Sequence, residues 1–143
     1  MDLQKYMQAA IDIAGNHKTP FGAVIVKNGD ILIRSANQTK QLNDATAHAE
    51  VCAIREAGKL LGSARLTGCS LITTCEPCPM CMSAAIWAGI DEVVYGCSIA
   101  EISRFMFQID LNSEQILKAS GRNMALRGHF MAEECKTLLT DFS

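Results

Sequence analysis

The sequence lacks an excess of charge of either sign, a long apolar run and any repeated or low-complexity stretch. Its 143 residues carry 13 Lys and Arg against 15 Asp and Glu, for a formal net charge of −2 and a pI near 5.9. This balance argues against a large polyanionic partner such as RNA, although it leaves room for a local basic patch. The longest apolar run, around residues 84–88, is too short to cross a bilayer, so no membrane partner is expected. The length predicts one domain over residues 1–143.

The amino terminus has no basic stretch followed by an apolar core, so the sequence predicts no secretory signal peptide. Seven cysteines in a chain of this size raise the question of disulfides. Without such a signal, however, a reducing cytoplasmic setting is expected. Four of the cysteines are therefore predicted to be small buried hydrophobic residues, namely Cys52, Cys69, Cys97 and Cys135.

The other three cysteines lie close together in the stretch CEPCPMC at residues 75–81. Cys78 and Cys81 are three positions apart, and Pro79 between them suits the first position of a helix. On such a helix the two sulfurs share one face at its positive end, which favours thiolates. The pair therefore predicts two ligands for a metal such as zinc.

The stretch HAE at residues 48–50 supplies the groups that the cysteine pair lacks. Zinc accepts imidazole together with sulfur, and a catalytic zinc site keeps its fourth position for water. His48 can be the third ligand. Glu50 lies two residues further on, so it faces the same side if the chain is still extended. A carboxylate in that place is suited to moving protons rather than to binding the metal.

The cysteines also admit other interpretations. A Cys-x-x-Cys pair alone fits two core thiols, a redox pair or a structural zinc knuckle. Cys75, three residues before Cys78, offers a fourth ligand, and a closed four-ligand site would make the chain a structural-zinc binding module rather than an enzyme. That interpretation leaves the His-x-Glu pair without a role. Cys75 also lies at a predicted strand end, where it need not face the helix pair.

Hydrophobic periodicity divides the chain into alternating elements. Helices are predicted over residues 3–14, 48–61, 79–88, 99–107, 113–119 and 132–139. Strands are predicted over residues 21–26, 31–35, 69–73, 92–95 and 124–127, with a loop over 36–47. After residue 48 the alternation of helix and strand implies parallel strands joined by right-handed crossovers.

The sequence also predicts the burial or the role of several individual side chains. The helix over 48–61 is predicted to turn inward Val51, Ile54, Gly58 and Leu61. The helix over 79–88 is apolar nearly all round, so it is predicted to be buried. Phe21 and Trp87 are interpreted as core residues, with an aromatic wall against a flat base as the alternative. Asn37 follows the second strand, and its amide can either read the edge of a base or serve as a simple turn residue.

Taken together, these stretches resemble the cytidine deaminase-like superfamily, and more closely its purine-acting branch of guanine deaminases and tRNA adenosine deaminases. The resemblance runs from about residue 20 to residue 96, through PFGAVIV at 20–26, Asn37, TAHAE at 46–50 and TCEPCPMC at 74–81. It implies an α/β fold, a three-layer α/β/α sandwich with a five-stranded mixed sheet. It also implies a homodimer or a larger assembly.

The resemblance implies a role for each of these residues as well. The implied ligands of one Zn²⁺ per subunit are His48, Cys78 and Cys81. Glu50 is the implied proton shuttle. Asn37 is implied to bind the substrate base, and the backbone amide of Ala49 to hold the substrate or the attacking hydroxide.

Similarities over shorter stretches of sequence predict the substrate. CEPCPMC followed by AIWA at 85–88 resembles guanine deaminases more than the tRNA enzymes, which predicts conversion of guanine to xanthine and ammonia. A tRNA adenosine deaminase, or a deaminase of another amino-heterocycle, is the alternative. Bacterial guanine deaminases carry a downstream aspartate that reads the purine, and Asp110 is the candidate here. Because the chain after Leu111 departs from both groups, other candidates for shaping the pocket are Glu101, Phe105 and Phe107.

Overall fold

The computed structural model describes residues 2–143, which form seven helices and five strands. The elements are, in order, α1 (Leu3–Asn16), β1 (Gly22–Lys27), β2 (Asp30–Ala36), α2 (Thr39–Leu42), α3 (Ala49–Leu61), β3 (Cys69–Cys75), α4 (Pro79–Ala88), β4 (Glu92–Cys97), α5 (Ile99–Ile102), α6 (Ser113–Ser120), β5 (Ala125–Arg127) and α7 (Ala132–Phe142). All five predicted strands are therefore confirmed. β3 and β4 each run two residues further than the sequence predicts, which carries both strands to the edge where the site lies.

The strands form one mixed sheet in the order β2-β1-β3-β4-β5. β1 pairs antiparallel with β2 and with β3, whereas β3, β4 and β5 run parallel. The parallel pairing predicted after residue 48 is confirmed. Cys75 pairs with Cys97, so β3 and β4 end side by side, and the segments that follow them leave the same edge of the sheet. Open sheets bind ligands at that edge.

Helices cover both faces of the sheet. Alternate residues of β1 point to opposite sides, so Val24 and Val26 join the core beneath α1 and α7. Ala23 and Ile25 join the core beneath α3 and α4. The predicted three-layer α/β/α arrangement is thus confirmed. No helix within residues 2–143 combines the length and the apolar character that a bilayer crossing requires.

The buried face of α3 differs from the predicted one. Its fully buried residues are small, namely Ala49, Ala53 and Ala57, because the helix backbone lies close against β1 and β2. The larger Ile54 and Leu61 are partly buried at the flank of the same core. The predicted loop over 36–47 contains the short helix α2, which the sequence did not indicate.

The helix predicted over 99–107 ends at Ile102. The Ser103 hydroxyl donates to the carbonyl of Ala100 at 2.7 Å, the group that the next turn of a helix would use. The chain then runs without regular structure to Asn112, which caps α6. This irregular stretch becomes part of the site described below.

α4 has the predicted bounds but not the predicted burial. Cys81, Met82, Ala85 and Ile86 are buried, yet Trp87 is 80% exposed. The prediction that Trp87 belongs to the core is therefore wrong. A helix that is apolar all round gives no sign of which side faces the sheet, so periodicity could not identify the uncovered side.

Gly22 lets α1 pack directly on the first residue of β1. A Cβ atom at this position would collide with the carbonyl oxygen of Ala10 and lie 2.9 Å from the Cβ of Ala14. We expect Gly22→Ala to lower the free energy of unfolding by about 3 kcal/mol, because neither helix nor strand backbone can give way cheaply. Urea unfolding followed by circular dichroism measures this.

Gly15 provides the matched control for that measurement. A Cβ atom at Gly15 would have no other atom within 4 Å, and Gly15 lies in α1, where alanine favours the helix. Gly15→Ala should raise the free energy of unfolding by about 0.5–1 kcal/mol. Equal effects of the two substitutions would contradict the close packing at Gly22.

Candidate active site

The site forms where the first turns of two helices meet. His48 stands immediately before α3 and Cys78 immediately before α4, and both have extended backbone. Pro79 opens α4 as predicted, and Cys81 lies in its first turn. The positive ends of both helix dipoles therefore point at one place, which favours thiolates there.

The structure brings His48, Cys78 and Cys81 into one group. The Nδ1 atom of His48 lies 3.6 Å from the Sγ of Cys78 and 3.5 Å from the Sγ of Cys81. All three ligand atoms lie within 4.8 Å of one another. Nitrogen and sulfur ligands of a tetrahedral zinc ion are about 3.5 Å apart, so the donor set and its spacing fit Zn²⁺.

Cys78 is the ionised member of this group. Hydrogen bonds from the Cys81 thiol and from His48 lower the pKa of Cys78 to about 4. The hydrogen bond to Cys78 also raises the pKa of His48, and the neighbouring thiolate raises that of Cys81. Thiol and imidazole ligands bind a metal in their deprotonated forms, so metal binding to this group would release protons.

Glu50 lies beside the group, on the second residue of α3. Its side chain is 5% exposed, and burial, followed by the nearby Cys78, raises the pKa of its carboxyl to about 7. A carboxyl with that pKa can both accept and return a proton near neutral pH. The predicted shuttle therefore has suitable electrostatics as well as a suitable place.

Cys75 lies outside the ligand group. Its thiol is buried and is 3.8 Å from the carbonyl oxygen of Pro20, to which it donates, and burial raises its pKa well above the usual range. Among residues 2–143, the group that can hold a metal comprises three residues and does not include Cys75. This geometry disfavours the closed four-ligand site.

A cleft of about 630 Å³ opens above the group. The cleft is lined by Phe21, Asn37, Thr39, Ala45, His48, Glu50, Cys75, Glu76, Cys78, Met80, Ile102, Met106, Phe107, Gln108 and Ile109. Its size lies in the range of small-molecule sites. Much of its wall is apolar, which suits a flat, weakly polar ligand.

Asn37 brings an unsatisfied acceptor to this cleft. Its Nδ2 donates to the hydroxyl of Thr39 at 3.3 Å, but its buried Oδ1 has no hydrogen-bond partner among the described residues. The backbone N–H of Asn37 donates to the carbonyl of Phe21 at 3.2 Å, so the two residues hold each other in place. A buried acceptor without a donor is costly, and a ligand N–H would satisfy it.

The other residues predicted to contact the substrate do not all lie at the cleft. Phe21 packs against both cores, as predicted, and also lines the cleft, where its contact with a base stays a prediction. The Ala49 side chain is fully buried, and its N–H belongs to the first turn of α3, where helices leave such groups without an internal partner. Asp110 is exposed and lines a neighbouring cavity of about 580 Å³ instead of the cleft.

The outer wall contains residues that the sequence did not single out. Phe107 lines the cleft, whereas Glu101 and Phe105 do not. Glu101 completes the capping box of α5 and pairs with Lys136. The residues not singled out include the apolar wall residues Met80, Ile102, Met106 and Ile109. Glu76 is a further one, and its only signal is a carboxylate set between two cysteines in an apolar stretch.

Comparison with known proteins places this geometry in a family. The profile of the cytidine and deoxycytidylate deaminase zinc-binding region matches residues 1–97. The chain is 55% identical over 76 residues to a guanine deaminase of Bacillus subtilis (strain 168), covering 53% of this chain and 49% of that protein. It is 48% identical over 79 residues to a tRNA-specific adenosine deaminase of Agrobacterium fabrum (strain C58 / ATCC 33970), covering 55% and 52%.

A solved structure from studies of A-to-I editing by tRNA:A34 deaminases has the same fold. It superposes with a TM-score of 0.82 at 30% identity, covering 94% of this chain and 99% of that one. The chain nevertheless spans only about half the length of the curated relatives named above. The predicted resemblance is confirmed: the chain belongs to the zinc-binding cytidine and deoxycytidylate deaminase family, whose members here are hydrolytic deaminases of nucleobases or nucleosides.

Proposed function

We propose that this protein is a zinc-dependent hydrolase that deaminates a free nucleobase, with guanine as the leading substrate and xanthine and ammonia as the products. The observation that carries the proposal is the composition of the cleft. Of the described residues that line the cleft or the neighbouring cavity, none is lysine or arginine. A phosphate-bearing substrate would need such side chains, whereas a neutral base does not.

The proposed roles follow from the geometry. His48, Cys78 and Cys81 would hold the zinc ion, which when bound makes a nucleophile available from water at neutral pH. Glu50 accepts the proton that this water gives up. The same carboxyl passes this first proton to the ring nitrogen. It then takes the second proton of the former water from the new hydroxyl and delivers it to the departing amine, so that base and water become oxo-base and ammonia. Burial of Glu50 keeps its proton affinity suited to both transfers.

Recognition of the base is assigned to the walls. The unsatisfied Oδ1 of Asn37 accepts a ring or amine N–H, which discriminates among bases by their donor pattern. Phe21 and Phe107 offer aromatic faces on the cleft wall. Since Asp110 lies in the neighbouring cavity, we do not assign it a contact with the base.

A tRNA adenosine is the second candidate. The structure from the tRNA:A34 deaminase studies matches 94% of this chain and 99% of its own chain at 30% identity. The exposed aromatic ring of Phe107 at the cleft rim could stack on an unpaired base. RNA binding would still require basic side chains beyond the cleft, and it would weaken steeply with salt.

Ammonia release by the zinc-loaded protein tests the two candidates together. The substrates are guanine, guanosine, adenine, adenosine, cytosine, cytidine and a tRNA anticodon stem-loop. Turnover of guanine, without turnover of the RNA, is the expected result. Turnover of the stem-loop alone would replace the first candidate by the second, and turnover of another free base would move the assignment to that base.

We further propose that the chain forms a homodimer, as the family resemblance implies. The 80% exposed Trp87, on a ten-residue helix without a charged side chain, supports it. Light scattering should give twice the 15.5 kDa mass of one chain. Trp87→Glu should weaken the dimer roughly 30-fold, since buried tryptophans at interfaces contribute about 2 kcal/mol or more. Leu42→Glu, at an exposed apolar residue of α2, serves as the control, and a Trp87→Glu protein that stays dimeric would contradict the proposal.

A further inference from the structure

Glu76 is a buried carboxylate at the centre of the site that the proposed reaction does not use. It follows the last residue of β3 and precedes the ligand Cys78 by two positions. Its side chain is 5% exposed, and among residues 2–143 no cationic side chain pairs with it. Its backbone N–H donates to the carbonyl of Cys97 at 2.7 Å, so its own position is held by the sheet.

The two oxygens of this carboxylate reach the next two helices. Oε1 accepts the backbone N–H of Ile99 at 2.8 Å, and Ile99 is the first residue of α5. Oε2 accepts the backbone N–H of Ser113 at 2.8 Å and its hydroxyl at 2.5 Å, and Ser113 is the first residue of α6. One side chain thus fastens both ends of the segment 99–113.

That segment supplies the outer wall of the cleft, through Ile102, Met106, Phe107, Gln108 and Ile109. Core packing does not explain the position of its rim, because Phe107 is 86% exposed and Ile109 is 55% exposed. Between α5 and α6 there is no regular structure to hold it either. Ile102 and Met106 pack with the core beneath α1 and α7, so the position of the exposed rim depends on these contacts and on the two ends of the segment.

We propose that Glu76 is a positioning residue. It fixes the outer wall of the cleft relative to the start of α4, which carries the ligands Cys78 and Cys81, and thereby sets the affinity for the substrate base. This inference rests on the deaminase function proposed above. Apolar packing could join two helices at a lower free-energy cost, because a buried carboxylate is costly unless each of its oxygens accepts hydrogen bonds. A charged acceptor with three convergent donors, in contrast, permits one arrangement of the wall and opposes others.

The test compares Glu76→Gln and Ser113→Ala with the wild type. Glutamine keeps the length of the side chain but replaces one acceptor by a donor, while Ser113→Ala removes one of the three hydrogen bonds and leaves Glu76 in place. The measurements are the KM and kcat for the base turned over by the wild type, the zinc content, and amide hydrogen exchange. Glu114→Gln, at the exposed neighbour of Ser113, is the control.

We expect Glu76→Gln to raise KM about tenfold and Ser113→Ala about threefold, with kcat changed less than twofold and zinc retained. Amide exchange should accelerate over residues 99–112 and stay unchanged over α4. Unchanged KM and exchange in both variants would overturn the proposal. So would faster exchange throughout the sheet, which would show a general role in stability. If the wild type turns over no base, the proposed function fails, and the exchange pattern still decides the role of Glu76.

Discussion

Replacing Glu50 by glutamine will reduce turnover by roughly a thousandfold while leaving one zinc ion per chain. Proton transfer by a positioned side chain contributes about a hundredfold to ten-thousandfold to catalysis, and glutamine cannot carry a proton. Glu50 is not among the residues whose ligand atoms form the metal group, so its loss does not remove a ligand. The measurements are the rate of ammonia release at saturating base and the zinc content by mass spectrometry.

Glu56→Gln is the matched control for this experiment. Glu56 lies on the same helix, but it is exposed and pairs with Lys59 at 3.6 Å on the protein surface. Its substitution should change neither turnover nor zinc content. A Glu50→Gln protein that retains more than a tenth of wild-type turnover would remove Glu50 from the proton transfers. Loss of zinc in that variant would instead indicate that the carboxylate helps to bind the metal.

Replacing Cys81 by alanine will abolish zinc binding at micromolar metal, and turnover with it. Removing one of three protein ligands leaves an imidazole and a single thiolate, which form a far weaker site. Cys75→Ala makes the contrasting control, because that thiol is also buried but hydrogen bonds to Pro20 rather than joining the group. It should retain one zinc per chain.

The pair of variants also decides between enzyme and binding module. In a closed four-ligand site, Cys75→Ala would release the metal as Cys81→Ala does. Retention of zinc by Cys75→Ala alone is the outcome that the geometry supports. Retention by both variants would exclude Cys81 as a ligand. Treatment of the wild type with a chelator should lower its melting temperature, because a metal bound to the folded chain stabilises that state by mass action.

The metal group could be predicted because its geometry is largely local. Cys78 and Cys81 meet within one helical turn, and Glu50 stands two residues from His48, so spacing alone relates each pair. Only the contact between the two pairs depends on the fold. Hydrophobic periodicity does not predict that contact, and the family resemblance did. The strands were predictable for a similar reason, since each is a short apolar run between turn residues.

The residues that the sequence misplaced depend on distant contacts. The position of Asp110 follows from the path of the chain between α5 and α6, which is held at both ends by Glu76, more than twenty residues upstream of the first anchor. No local pattern encodes such a path. Trp87 was misplaced for a different reason, because apolar composition does not distinguish a side chain buried in the core from one exposed at the surface.

The match to the family profile ends at Cys97, where β4 ends, and the outer wall of the cleft begins just beyond it. The proposed metal ligands and proton shuttle therefore precede this junction, as do the cleft residues Phe21 and Asn37, whereas the outer wall follows it. A crossover at this junction would exchange one outer wall for another without altering the metal ligands. Chimaeras joined after Cys97, with residues 98–143 replaced by those of a relative that keeps a hydroxyl donor for Glu76, offer a direct route to altered base selectivity.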